Sequence, residues 1–254
     1  MSIKTEEKTR FGNWVSMKFI IIPGIPGLVF LILGVVAWPW FLLAGVFLIT
    51  AGYFLLARRR FSPGGGNLQE KVLHRLIAEI RWSGEGCVLD IGCGSGALVI
   101  RLAEKYPAAG ITGIDFWGKG WNYSKGLCEE NARVAGVDGR VTFVHGSASS
   151  LPLNDGSFDL VVSNMVFHEV KDVKDKSVCL TEALRVLKPG GIFVLQDLFL
   201  LKPYFGTPEA QIERMRSLGA SEVEMIRTCD EPFVPTFLKL PFMLGTVAIL
   251  RGRK

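Results

Sequence analysis

The stretch Val88-Leu89-Asp90-Ile91-Gly92-Cys93-Gly94-Ser95-Gly96 decides the fold of this 254-residue chain. Apolar residues suited to a buried strand lead to an acidic residue, and three alternate glycines follow. At Gly92, Gly94 and Gly96 the missing side chains let the backbone turn sharply and let a ligand approach the main chain closely. The pattern beyond them predicts a helix over 95–105. Strand, glycine turn and helix in that order make the ligand-binding corner of an open α/β sheet, and an acidic residue about 20 positions on suits ribose hydroxyls. Asp115 fills that place.

The alternation continues on both sides. A helix over 67–82 carries Leu68, Val72, Leu76 and Ile80 along one face. Strands are expected at 86–91, 110–115, 140–145, 158–163 and 190–197, with helices over 121–135 and 175–188 between them. Near-continuous apolar runs such as Leu160-Val161-Val162 and Ile192-Phe193-Val194-Leu195 indicate a parallel sheet covered on both faces. The finish differs: a helix over 208–219, a strand over 221–228, an irregular stretch with Pro232, Pro235 and Pro241, and a strand over 245–251. Two late strands joined by a loop must pair antiparallel, since parallel pairing needs a crossover. No internal repeat is visible.

Gly92-Cys93-Gly94-Ser95-Gly96-Ala97 also satisfies the dinucleotide fingerprint, so a nicotinamide cofactor is one reading of the turn. Asp90 points elsewhere. A carboxylate two residues before the first glycine suits an ammonium-bearing ligand and would repel a pyrophosphate; alternatively it is a strand-end carboxylate that bonds loop amides. With its flanks, the run resembles the glycine-rich motif of class I S-adenosylmethionine (SAM) dependent methyltransferases. The resemblance covers about residues 67–254. Ser163-Asn164-Met165-Val166-Phe167-His168-Glu169 is similar to the S-x-x-x-x-H-[HE] segment of small-molecule and quinone-type members, and Leu187-Lys188-Pro189-Gly190-Gly191 to the turn before strand five.

That resemblance implies a Rossmann-like, doubly wound, mostly parallel seven-stranded sheet with an antiparallel C-terminal edge pair, and SAM as cofactor. It places Asp90 near the methionine moiety, Gly92, Cys93, Gly94 and Gly96 in the cofactor loop, and Asp115 on the ribose. Phe116 would pack on the adenine, or belong to the core. Ser147 and Ala148 fall at the adenine edge; the family commonly has an acidic residue where Ser147 stands, so that contact is weaker here or supplied elsewhere. Ser163 opens the segment that borders the methyl group and the acceptor. Within it, His168 is a candidate general base, because an imidazole near its ordinary pKa can take a proton from a hydroxyl or thiol; a loop-ordering role is the alternative.

Residues 1–60 are a separate element, joined by the linker 61–66 to the domain 67–254. They hold seven Lys or Arg against Glu6 and Glu7, which accounts for the whole net charge of +5; the rest carries 22 basic and 22 acidic side chains. A domain without net charge lacks the electrostatic footprint of a nucleic-acid binder. From Phe19 to Ala57 there are 39 residues without a charge, about twice the ~20 of one membrane-spanning helix. Trp38-Pro39-Trp40 divides them into a helical hairpin, transmembrane or monotopic, contacting the membrane through 19–57. Basic residues on both outer flanks place the ends and the domain on the cytoplasmic side. Pro23-Gly24-Ile25-Pro26-Gly27 is expected to interrupt the first helix near its start. A cleaved signal peptide and a buried soluble hairpin are the other readings.

Five scattered cysteines without C-x-x-C spacing and three histidines without H-x-x-x-H spacing give no zinc or disulfide framework, and no metal site is expected. The apolar segment 233–244 packs at the sheet edge, covers an acceptor pocket or touches a bilayer. The sequence thus reads as a membrane-anchored SAM-dependent methyltransferase acting on a small or lipophilic acceptor. An NAD(P)-dependent oxidoreductase and a non-catalytic tethered SAM-binding module are its rivals. Oligomeric state is not encoded in any pattern found.

Overall fold

The computed structural model describes residues 8–118 and 123–254, and the chain divides into two compact units. One runs from Asn13 to Val72; of the described residues the other combines 8–12 with those from Leu73 to Lys254. The expected boundary at 60 therefore shifts, with residues 8–12 joining the larger unit. Asn131 explains this: its side chain accepts from Arg10 N at 2.7 Å and donates to Arg10 O and Ser95 O. The Arg101 guanidinium lies over the Phe11 ring. Lys4, Glu6 and Glu7 lie outside the described residues.

The smaller unit is a helical hairpin. Helix α1 (Lys18–Leu33) and helix α2 (Trp40–Phe61) are followed by a turn and the start of α3 (Leu68–Ala78). The predicted interruption at 23–27 does not occur, and α1 runs through Pro23 and Pro26. Each proline removes an i→i−4 bond and costs about 3 kcal/mol. Packing offsets this. Gly24 faces Ala51, and a Cβ at Gly27 would lie 2.8 Å from Leu48, so the missing side chains bring the backbones close together as in small-residue helix pairs. Phe30 stacks on Trp40 and Phe19 on Phe54. Among the described residues, helix α2 alone is long and apolar enough to cross a membrane. The 16 residues of α1 span about 24 Å.

The larger unit is built on one seven-stranded sheet in the order β3-β2-β1-β4-β5-β7-β6. Its strands are β1 (Gly86–Ile91), β2 (Ala109–Asp115), β3 (Val141–His145), β4 (Phe158–Asn164), β5 (Leu187–Asp197), β6 (Ser221–Ile226) and β7 (Ala248–Arg253). Neighbours among β1–β5 pair in parallel. β7 inserts between β5 and β6 and is antiparallel to both, so the late strands close the edge as expected. Helices α4 (Ala97–Lys105), α5 (Lys125–Val134), α6 (Ser177–Val186), α7 (Lys202–Phe205) and α8 (Pro208–Ser217) complete it. Val88, Leu160, Val162, Val194 and Ile249 form a continuous core with Leu76, Val99 and Leu102 from the helices.

Several boundaries differ from expectation, α3 ending at Ala78, α6 spanning Ser177–Val186, α8 ending at Ser217 and β6 at Ile226, and four others differ for identifiable local reasons. Helix α4 starts at Ala97, because Gly96 is left-handed at φ 82° and still belongs to the turn. Helix α5 starts at Lys125 with Ser124 as its cap; positions 121 and 122 of the expected helix lie outside the described residues. The expected turn 187–191 is extended: Leu187 already pairs with Phe158, and a register shift before Leu160 absorbs Pro189 and the left-handed Gly190. The final strand begins three residues late, since Leu244 and Gly245 bond back to Leu238 and Leu240 in a turn. The four-residue α7 has no counterpart in the sequence reading.

Candidate active site

The parallel strands deliver their carboxyl ends to one edge of the sheet, where ligands bind in open α/β folds. β1 ends in the glycine turn. Gly92, Gly94 and Gly96 all have positive φ, a conformation that costs L-residues with a Cβ. Gly92 N and Cys93 N both donate to Ile114 O, which ties the turn to β2. Cys93 turns its side chain into the core against Gly113. Only its backbone belongs to the loop surface.

Two carboxylates flank this turn in opposite states. Asp115 accepts from Gly94 N at 2.8 Å through Oδ2 and from Trp117 N at 2.7 Å through Oδ1. Each oxygen keeps a lone pair for a further donor, as two vicinal hydroxyls require. Asp90 is 1% exposed, and neither of its oxygens meets a protein donor. Burial, with the charge of Asp115 added, pushes its carboxyl well above the usual range. A buried carboxylate without partners is costly unless a cation or donor reaches it. The glycine cradle, the paired acceptor at Asp115 and the orphaned acceptor at Asp90 together fit an adenosyl ligand that also carries an ammonium.

Further residues close on the same turn. The Trp117 indole N–H donates to Gly94 O at 2.9 Å. Tyr123 packs between Gly94 and Gly12, and burial with the Asp115 charge pushes its phenol up to about 12. Ser95 Oγ donates to Phe11 O at 3.0 Å, so residues 10–12 buttress the loop from outside. Phe116 is 61% exposed and its ring lies 5.2 Å from that of His145; it is a surface ring at the end of β2, not core. Ala148 is buried. Ser147 donates to Asp172 Oδ2 at 2.7 Å. Ser163 is buried and donates its hydroxyl proton to Ile91 O at 2.8 Å, tying β4 to β1 at the site's edge.

His168 sits in a short 3₁₀ turn, 167–169, after β4. Its Nδ1 lies 2.6 Å from Asp197 Oδ1, at the last residue of β5. The Asp197 carboxylate also accepts from Leu198 N, Val166 N and Phe167 N at 2.7, 2.9 and 2.6 Å. A carboxylate can only accept, so Nδ1 carries the proton and Nε2 presents its lone pair. Burial lowers the His168 pKa, but the charge and hydrogen bond of Asp197 outweigh it, and the net effect is a rise. A Cβ on Gly92 would collide with Val166, so the histidine turn abuts the glycine turn. Asp197 escaped the sequence reading; its signal was an acid closing an apolar strand, Phe193-Val194-Leu195-Gln196-Asp197.

Parts of the sequence and the fold have known counterparts. A family model described as a methyltransferase domain matches residues 89–195. A 27-O-demethylrifamycin SV methyltransferase of Amycolatopsis mediterranei is 37% identical over 139 residues, covering 55% of this chain and 48% of the relative. A ubiquinone/menaquinone biosynthesis C-methyltransferase of Geobacter sulfurreducens is 34% identical over 137 residues, 52% of this chain and 47% of the relative. The chain thus spans about half the length of these curated relatives. A geranyl diphosphate C-methyltransferase of Streptomyces coelicolor, solved with S-adenosyl-L-homocysteine, is 12% identical with a TM-score of 0.58, covering 75% of this chain and 78% of that one; this likeness is one of fold. The glycine turn, its two carboxylates and the matched segment lead to one conclusion: residues 89–195 are similar to a methyltransferase domain, around a site that fits S-adenosylmethionine.

Proposed function

We propose that this protein is a membrane-anchored methyltransferase that uses SAM to methylate a small or lipophilic acceptor, with His168 as the proton-accepting group. The observation that carries the reading is the pair His168–Asp197, 2.6 Å apart beside the glycine turn. SAM, when bound, supplies an electrophilic methyl on a sulfonium. Gly92, Gly94 and Gly96 with the Cys93 backbone would cradle it, Asp115 would accept from the ribose, and Asp90 would face the methionine ammonium. Phe116, Ser147 and Ala148 would border the base. Ser163 holds β4 in place beneath the acceptor segment.

The chain's own chemistry follows from the pair. Asp197 fixes the imidazole in one tautomer and orientation, so Nε2 accepts a proton from an acceptor hydroxyl or an acidic carbon. The imidazolium that forms is stabilised by the same carboxylate. Glu169 Oε1, 3.7 Å from Nε2 and half-exposed, offers the proton a way to solvent. A base of this kind typically contributes about 10²–10⁴-fold, the rest coming from alignment of the reacting atoms.

The relatives named for rifamycin and quinone substrates support a lipophilic acceptor. The apolar helix α2, with Arg58, Arg59 and Arg60 in its last turn, supports an anchor whose basic end and following domain lie on the cytoplasmic side. The test uses the full chain in nanodiscs with methyl-labelled SAM, offered a membrane lipid extract and a soluble metabolite pool. Label should enter the lipid fraction. Tight SAM binding with no transfer to either pool would favour a non-catalytic module, and NAD binding without SAM binding an oxidoreductase.

A further inference from the structure

Asp115 ends β2 beside β3, so a ribose on its carboxylate would bring the attached base within reach of the loops that follow these two strands. Asp115 pairs with His145, and Gly146 N donates to the Asp115 backbone O at 3.0 Å, so the loop that carries Ser147 starts beside the end of β2. The exposed Phe116 ring offers one flat apolar face there. The base edge then needs a polar partner. Adenine presents an exocyclic amine, a donor of two protons, and Ser147 is a weak and rotatable acceptor for it.

An acidic group reaches this position from another element. Asp172, in the segment between β4 and α6, accepts through Oδ2 from Ser147 Oγ at 2.7 Å and Ser149 Oγ at 2.6 Å. Both hydroxyls engage the same oxygen, and Asp172 is exposed, which leaves acceptor capacity toward a ligand. The bonds from Ser149 and Ser147 hold the carboxyl below its usual range, so it is ionised throughout the neutral region. Lys176 Nζ, donating to Val170 O and to Val173 O at 2.8 Å, pins the segment on either side.

We propose that Asp172, oriented by Ser147 and Ser149, is the acceptor for the adenine amino group. This rests on SAM being the cofactor, and it makes Asp172 a specificity-determining residue supplied by the segment that also carries His168. The two lie four positions apart. Recognition of the base therefore falls to the stretch that also positions the proton acceptor.

The test measures binding by calorimetry on the full chain in detergent, with S-adenosylhomocysteine and with S-inosylhomocysteine, whose ring carries a carbonyl where adenine has its amine. Wild-type protein should prefer the adenine ligand at least about tenfold, the value of a hydrogen bond to a charged group. Asp172→Ala should bring the two affinities to within about threefold, and Ser147→Asp in the Asp172→Ala background should restore the preference. A merely structural role would weaken both ligands alike. Full discrimination retained in Asp172→Ala overturns the proposal and leaves the cofactor assignment standing. Wild-type protein that binds neither ligand overturns both.

Discussion

Replacing Asp197 with asparagine separates the structural and chemical parts of the histidine pair. The carboxylate accepts from three backbone N–H groups and from His168 Nδ1. An amide can keep its oxygen toward Val166 and Phe167, which turns its NH₂ toward His168 and Leu198. His168 can adapt by moving its proton to Nε2. Leu198 N–H cannot, and a stranded buried donor costs about 1–3 kcal/mol. Loss of charge assistance at the remaining bonds brings the expected destabilisation to about 3–5 kcal/mol, the range for removing one partner of a buried pair. Urea unfolding of the full chain in mild detergent, followed by near-ultraviolet circular dichroism, measures it.

The same substitution has a titration signature. With Asp197 present, the His168 pKa lies above the ordinary 6.5; without that charge burial, aided by Lys176, outweighs the remaining pull of Glu169, and the midpoint should fall. The stability that wild-type His168 contributes is complete below about 6.5 and lost as pH rises through the raised folded pKa. The variant should lack that slope. Histidine-labelled NMR reads it directly, with His168→Gln used to assign the resonance. Nε2 then also carries the proton, so methyl transfer should fall by a factor on the order of 10²–10⁴. A variant within about 1 kcal/mol of wild type, with the His168 midpoint unmoved, would refute the reasoning.

Three further outcomes are expected. Asp90→Asn should stabilise the ligand-free protein at neutral pH by about 1–3 kcal/mol while weakening SAM binding; because the folded pKa is raised, the gain should vanish below about pH 4, and thermal unfolding at pH 4 and 7 with and without SAM checks it. Gly92→Ala combines a positive φ with a collision at Val166, for a loss of about 2–4 kcal/mol; Val166→Ala should recover part of it, and no recovery would place the strain in the backbone alone. Asn131→Ala removes three bonds that hold residue 10 and Ser95, so trypsin should cleave after Arg10 much faster than in wild type, and an unchanged rate would mean the segment is held elsewhere.

The sheet was legible because buried strands repeat a simple apolar pattern, and the glycine turn flanked by Asp90 and Asp115 could be located because β1, the turn, α4 and β2 follow one another in the chain. What escaped depends on contacts between strands. His168 and Asp197 are 29 positions apart and meet only because β4 and β5 run parallel with Asn164 beside Gln196. Ser147 and Asp172 are 25 apart and join through a loop whose path no local pattern fixes. The continuity of α1 through two prolines was equally hidden, since propensity is local while the glycine seam against α2 is a tertiary property. Ser163 shows the converse: its place in a motif says nothing of where its hydroxyl proton goes.

The unpartnered Asp90 also ties the protein's lifetime to its ligand. Whatever binds the folded form alone raises its stability in proportion to the logarithm of ligand concentration, and a ligand that brings a positive group to Asp90 removes a standing penalty as well. Starved of such a ligand, the domain sits lower on its stability curve and unfolds more often. A small change in that balance alters how much protein survives cellular proteolysis. A cation that reached this single carboxylate in β1 would thus make the amount of protein depend on the supply of its ligand, before any substrate is met.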